Sequence, residues 1–302
     1  MDTGARAVEH AVKKTDTDPM LVPLAVIVLT FNGEPDLEAS LASVAGFADE
    51  IFVLDSFSTD RTLEIARRFT DRIYQHRFEG FAAQRNFALQ SLPLTHDWTL
   101  FLDQDERLTP ELRDEIAGVV QDRMSEVQGF YINRRFIFLG RWLRHGGYYP
   151  GRILRLFRRS RGRVVDAGLR EYVVVNGVVD VLRHDMIHDS VRDLASWTAK
   201  HNQYSDVEAR ELIFGTGRRN LDMAAQDGSL ERGRTLWVRR QIWDRLPLLI
   251  RAGFLFVYRY VLRLGLLDGV PGFIYCVLHD LWYPFLIDAK CRELRQRRVS
   301  RT

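Results

Sequence analysis

Residues 24–30, LAVIVLT, form an unbroken apolar run rich in β-branched side chains. A strand with one wet face alternates apolar and polar residues, so a run without alternation predicts a strand covered on both faces, as in helix-flanked parallel sheets. Three more segments have strand character: 51–54 (IFVL), 72–76 (RIYQH) and 98–102 (WTLFL). Helical patterns fall between them at roughly 35–45, 60–69 and 80–91, the first opened by Pro35 and the second capped by Ser58 or Thr59. This alternation predicts right-handed βαβ units and an α/β fold with a mainly parallel sheet. Ligands of such sheets gather at the carboxyl ends of the strands.

Polar residues cluster where those ends fall. Thr30-Phe31-Asn32-Gly33-Glu34 follows the first strand, Asp55-Ser56-Phe57-Ser58-Thr59-Asp60 the second, and Asp103-Gln104-Asp105-Glu106 the fourth. A single aspartate at a strand end is usually a cap or a turn residue. Three clusters on one rim favour a binding site. The D-x-D spacing lets two carboxylates face one cation, and hard oxygen ligands suit Mg²⁺ or Mn²⁺ completed by diphosphate and water. Without a cation, three adjacent carboxylates would repel one another. Asp55 is placed to accept a hydrogen bond from a nucleobase or ribose, with Thr30 and Asn32 on the other wall. Neither GxGxxG nor GxxxxGK[ST] occurs, which disfavours a dinucleotide-binding dehydrogenase and a P-loop NTPase.

Charge and cysteine content narrow the class further. The net charge is only +3, so composition gives no sign of a nucleic-acid partner. Arginines nevertheless crowd residues 134–163 (134, 135, 141, 144, 152, 155, 158, 159, 161 and 163) with no acid among them, an arrangement expected to attract phosphates. Two cysteines, Cys276 and Cys291, in no zinc-binding spacing, fit a reducing compartment. Residues 1–22 contain no apolar signal segment and are expected to form a flexible extension.

Taken together, LAVIVLTFNGEPDLEASLASVAGFADEIFVLDSFSTDRTLEIARRF, GFAAQRNFAL and DWTLFLDQDERLTPEL resemble family 2 glycosyltransferases of the GT-A fold. FLGRWLRHGGYYPGRILRLFRR resembles the lipopolysaccharide-core branch, and the likeness extends over roughly 24–290. The resemblance implies that Thr30, Asn32 and Glu34 border the nucleotide, that Asp55 meets its base or ribose, and that Gln84 and Arg85 approach it from the third crossover. It makes Asp103 and Asp105 the DxD pair, with Asp105 the direct metal ligand and Asp103 on the ribose or sugar side. It implies a UDP-sugar donor and inversion at the anomeric carbon, which requires a base for the acceptor hydroxyl. Glu171, in GLREYVVV, is the candidate base, and Glu106 the alternative. In the branch it resembles, the acid follows a histidine, whereas here the triplet is Leu169-Arg170-Glu171. Phe57 and Arg61 stand where glycine is common. His188 resembles a late histidine that reaches the metal or diphosphate, although a lone histidine is more often structural. His145 has the same ambiguity, and Trp142, Tyr148 and Tyr149 are candidates for stacking on acceptor sugars or for packing.

The last third changes character. Trp197, His201 and Tyr204 lie at helical spacing, and 245–290 is apolar but interrupted by Arg251, Arg259, Arg263 and Asp268, so no stretch is expected to span a membrane. Apolar helices carrying arginines, followed by the basic tail 290–302, predict segments lying on an anionic membrane surface, with a helical subdomain or dimer interface as the alternative. The expected organisation is therefore a flexible extension over 1–22, a GT-A catalytic domain over 23–192, and a membrane-associating helical region over 193–302. The expected activity is metal-dependent, inverting transfer of a hexose to a lipid-linked saccharide on the cytoplasmic face, with oligomerisation left open. A nucleotidyltransferase should carry a glycine-rich basic loop after the first strand, which TFNGEP is not, and a non-catalytic scaffold would not need the acidic clusters.

Overall fold

The structure, a computed structural model, describes residues 21–122, 124–166, 171–189, 191, 193–214, 247 and 249–299. The expected extension over 1–22 therefore lies almost wholly outside the described residues. The first half is regular: β1 (Val22–Thr30), α1 (Leu37–Ala42), β2 (Ala48–Asp55), α2 (Thr62–Ala66), β3 (Ile73–Gln75), α3 (Phe81–Ser91) and β4 (Trp98–Asp103). Then come β5 (Glu106–Leu108), α4 (Pro110–Gln121), β6 (Val127–Phe138), β7 (Arg141–Trp142), β8 (Ile153–Arg158), β9 (Gly162–Asp166), β10 (Glu171–Val175) and β11 (Val178–His188). The main sheet runs β3-β2-β1-β4-β8-β6-β11-β5, with β7 on β6, while β9 and β10 form a separate hairpin.

The apolar run opening the chain is covered on both faces, as its lack of alternation predicts. Leu24, Val26 and Val28 join a core with Leu37, Leu41, Leu112 and Ile116, whereas Ala25, Ile27 and Leu29 face Ala88, Leu89, Phe157 and Val173. The sheet is parallel from β3 to β4 and mixed beyond, because β8 pairs antiparallel with both β4 and β6. The expected α/β architecture is present, with its wholly parallel part, β3 to β4, in the first half of the chain. The second helix begins later than expected. Its N-cap is Arg61, and the Thr62 N–H is met by Asp60 at 3.0 Å, because Ser58 and Thr59 are committed to loop contacts.

The remaining elements are helical: α5 (Leu194–Phe214), α6 (Ile250–Val257) continued by a π-turn at Tyr258–Leu262, α7 (Gly269–Tyr275), a π-segment at Cys276–Trp282, and α8 (Tyr283–Val299). Trp197 stacks on His201 at 3.5 Å, as their spacing predicts. The expectation that no segment is long and apolar enough to cross a membrane is corrected. Gly265–Arg297 is one such helical run by length and composition, with a mean hydropathy of 1.3 over an 18-residue window within it. The helix forms through Asp268 and Asp280 because both acids are buried against partners, His145 for the first and Tyr148, Arg259 and His279 for the second.

Candidate active site

The loops after β1 and β2 are locked together. Thr30 and Asp55 are register partners at the ends of the two strands. The Thr30 hydroxyl donates to Gln104 Oε1 at 2.8 Å, which also accepts from the Phe31 N–H at 2.9 Å, so the β4 cluster is tied to the β1 cluster. A Cβ at Gly33 would lie 2.5 Å from Gln104 Oε1 and 2.6 Å from Thr30 Oγ1, so a side chain there would disturb the Thr30–Gln104 hydrogen bond. Asn32 has a positive φ of 46°, its N–H donates to Ser58 Oγ at 2.8 Å, and its Oδ1 accepts from the Thr59 N–H at 2.9 Å. Glu34 accepts from the Arg61 N–H at 3.2 Å. Asp55 is fully buried, and its carboxylate accepts from Ser58 N–H at 3.0 Å, from the Ser58 hydroxyl, and from Gln75 Nε2 at 2.9 Å. Gln84 is also buried, donating to Ser56 Oγ at 3.0 Å and accepting from His76 Nδ1 at 2.7 Å. Asn32, Glu34, Asp55 and Gln84 thus build the rim, on which Phe31 and Phe57 are exposed aromatic side chains.

The acidic cluster is held by arginines. Asp103 Oδ1 accepts from Arg85 at 2.6 Å, and its other oxygen accepts from Arg155. Burial pushes the Asp103 carboxyl upward, but Arg155 and Arg85 outweigh it and hold it well below the usual carboxylate range. Glu106 is fully buried: one oxygen accepts from Arg155 at 3.1 Å and lies 3.6 Å from Arg134, and the other accepts from the Asp103 N–H at 3.1 Å. The expectation that only a cation relieves the repulsion of these acids is corrected for two of them. At least four arginines of 134–163 are met by acids: besides Arg155 and Arg134, Arg135 pairs with Asp185 at 2.8 Å and Arg158 lies 3.7 Å from Asp97. Their acids are distant in sequence and adjacent in the fold.

Asp105 differs from its neighbours. Among the described residues it has no arginine partner, and its Oδ2 lies 3.5 Å from His188 Nε2. The two side chains are 20% and 21% exposed, and the antiparallel pairing of β11 with β5 brings His188 opposite Glu106. Among the described residues no third His, Cys, Asp or Glu completes a metal cluster. The Asp105 carboxylate suits Mg²⁺ or Mn²⁺ that takes its remaining ligands from diphosphate and water, and a His188 nitrogen in the shell would favour Mn²⁺ over Mg²⁺. Glu171 begins β10 and is mostly buried; its Oε1 accepts from Arg85 Nε at 3.2 Å. Residues Leu169 and Arg170 lie outside the described residues. Glu106, the alternative base, is instead enclosed by Arg155, Arg134 and the Asp103 N–H.

The loop between β7 and β8 belongs to the helical region as much as to the sheet. His145 Nδ1 meets Asp268 at 2.7 Å, the Gly146 N–H donates to the Arg263 carbonyl at 2.8 Å, and the Tyr148 hydroxyl donates to Asp280. Tyr148 therefore packs against protein, edge-on to Tyr275 at 4.9 Å, and His145 is an anchor. Trp142 lies under Arg144 at 4.1 Å and Arg135 at 5.0 Å, with Tyr149 against its edge at 5.1 Å. Sequence reasoning missed Gln104 and Arg155. Arg155 had a signal: a charge inside the apolar strand ILRLFR must be paired if it is buried.

Residues 25–173 match the family model Glycosyl transferase family 2. An uncharacterized glycosyltransferase of Rickettsia bellii is 28% identical over 200 residues, covering 63% of this chain and 67% of that protein. The lipopolysaccharide core biosynthesis glycosyltransferase LpsC of Rhizobium meliloti is 28% identical over 204 residues, covering 64% and 72%. Among solved structures, S. aureus TarS 1–349 in complex with UDP-GlcNAc is 15% identical, with coverage of 89% and 91% and a TM-score of 0.44.

Proposed function

We propose that this chain is a family 2 glycosyltransferase, a reading supported by the match over residues 25–173, and that it moves a hexose from a UDP-sugar, with inversion, to a hydroxyl of a lipid-linked saccharide such as lipopolysaccharide core. The observation that carries this reading is the Asp105–His188 pair, which holds the one acid of its cluster left without an arginine. Asp105 and His188 hold the Mg²⁺ or Mn²⁺, which when bound supplies the positive charge that a departing diphosphate requires. Thr30, Asn32, Glu34, Asp55 and Gln84 shape the nucleotide cleft through their loop contacts. Asp103, oriented by Arg85 and Arg155, faces the ribose or sugar. Glu171 takes the proton of the attacking hydroxyl, and Arg85 fixes its carboxylate in place. The name of the LpsC relative supports the acceptor class.

The catalytic region in this reading spans 23–192, and 193–302 serves the membrane. The described face from 250 to 273 supports a location on the inner surface of the cytoplasmic membrane. Leu262 and Val270 are each 70% exposed, Phe254 and Leu264 are exposed beside them, and the one acid between 249 and 279, Asp268, is buried. Exposed apolar side chains with the exposed Arg263 among them suit an anionic bilayer. The deciding test is release of nucleoside diphosphate from a panel of nucleotide sugars by purified protein, with Mn²⁺ or Mg²⁺. Asp105→Ala should abolish metal-dependent turnover; unaffected turnover would overturn the assignment.

A further inference from the structure

We infer that the ring of Phe57 is a stacking wall for the nucleobase of the donor, a role that rests on the nucleotide-sugar reading above. Phe57 has φ +61°, in the left-handed region that L-residues with a side chain rarely adopt. The turn demands that backbone. Asp55 accepts from both the N–H and the hydroxyl of Ser58, which folds the chain back on itself at position 57. Glycine or asparagine meets such a turn at the least cost.

The phenyl ring does not repay that cost inside the fold. It is 54% exposed, belongs to none of the hydrophobic clusters, and touches no other aromatic ring among the described residues. The loop beneath it is rigid, because Ser58 and Thr59 are hydrogen-bonded to Asn32, itself at positive φ. Backbone strain held in place by its surroundings, with an exposed aromatic ring on top, is the pattern of a ligand contact.

Position selects the ligand part. In the order β2-β1-β4, Phe57 stands two strand spacings, about 10 Å, from the end of β4 where Asp105 and His188 would hold the cation that binds the diphosphate. A ribose bridges that separation and brings the base to Phe57. Stacking offers every base the same π-face, so the ring adds affinity without selecting among bases.

The test uses the full chain with Mg²⁺ and compares wild type, Phe57→Gly and Phe57→Trp for binding of UDP and of pyrophosphate by calorimetry, alongside thermal melting. F57G should melt no lower than wild type, bind UDP about tenfold more weakly, and bind pyrophosphate as wild type does. F57W should keep UDP affinity within about threefold. Unchanged UDP binding by F57G, equal losses for UDP and pyrophosphate, or a lower melting temperature would each overturn the inference. If wild type binds none of UDP, GDP, ADP, CDP or TDP, the donor reading fails and takes this inference with it. Binding by wild type that F57G retains defeats the Phe57 inference alone.

Discussion

Asp103 and Glu171 share one guanidinium: Arg85 reaches the first through Nη2 at 2.6 Å and the second through Nε at 3.2 Å. The proposed sugar-side acid and the proposed base are thus held by a residue with almost no solvent exposure, whose guanidinium also lies 4.9 Å from the centre of the Phe101 ring. The geometry makes Arg85 a positioning residue of both.

Removing that guanidinium takes from the mostly buried Glu171 its arginine partner and leaves Asp103, 31% exposed, to Arg155. Breaking a buried pair costs about 3–5 kcal/mol. Arg85→Ala should lose stability of that order in urea unfolding, and Arg85→Lys should recover only part of it, because an ammonium cannot present two donors in a fork. A loss below about 1 kcal/mol for Arg85→Ala would contradict the buried network.

Glu171→Gln keeps the shape and a hydrogen-bond acceptor but removes the proton acceptor. Its kcat should fall about 10²–10⁴-fold with little change in the KM for donor. Steady-state rates with the identified donor and acceptor check this. Retention of more than a tenth of wild-type kcat would move the base elsewhere.

His201 sets a pH dependence of stability. Burial lowers its pKa from 6.5 to about 4, opposed by its hydrogen bond to the Trp197 carbonyl and assisted by His279 and Lys200. Between those two values the unfolded chain binds a proton that the native state refuses, so this residue's contribution is complete above pH 6.5 and is lost as pH falls toward 4. The difference in urea midpoint between wild type and His201→Gln should change across that window and be flat above it. A difference independent of pH would show that the imidazole is not buried as described.

Leu262→Glu combined with Val270→Glu places two charges on side chains that are each 70% exposed. Melting temperature should stay within about 2 °C, since little packing is altered. Sedimentation with anionic vesicles should fall several-fold. Unchanged co-sedimentation would remove the 250–273 face as the membrane contact.

The first half of the fold was legible because its signals are local. Continuous apolar strands such as 24–30, helical segments between them, and polar residues at strand ends all express covered faces and chain reversals within a few residues. The resemblance to family 2 rested on the same stretches. Ser58 and Thr59 misled as caps because their polar atoms serve Asp55 and Asn32, across a loop contact that helix-start chemistry does not show. Phe57 was visible as a departure from a glycine, but its strained backbone was not.

The sequence by itself determined that β1 is buried on both faces, that the acids of 101–108 stand at a strand end, and that apolar helices with basic residues close the chain. Only the tertiary structure decided which charges meet. Arg155 neutralises Asp103 and Glu106 because β8 returns antiparallel beside β4, and Asp105 is left to His188 because β11 returns beside β5. Electrostatic energy depends on distance in space and on burial, and neither can be counted along the chain. Three acids that look equivalent in sequence therefore become one enclosed structural carboxylate, Glu106, one arginine-held carboxylate open toward the cleft, Asp103, and one candidate metal ligand, Asp105.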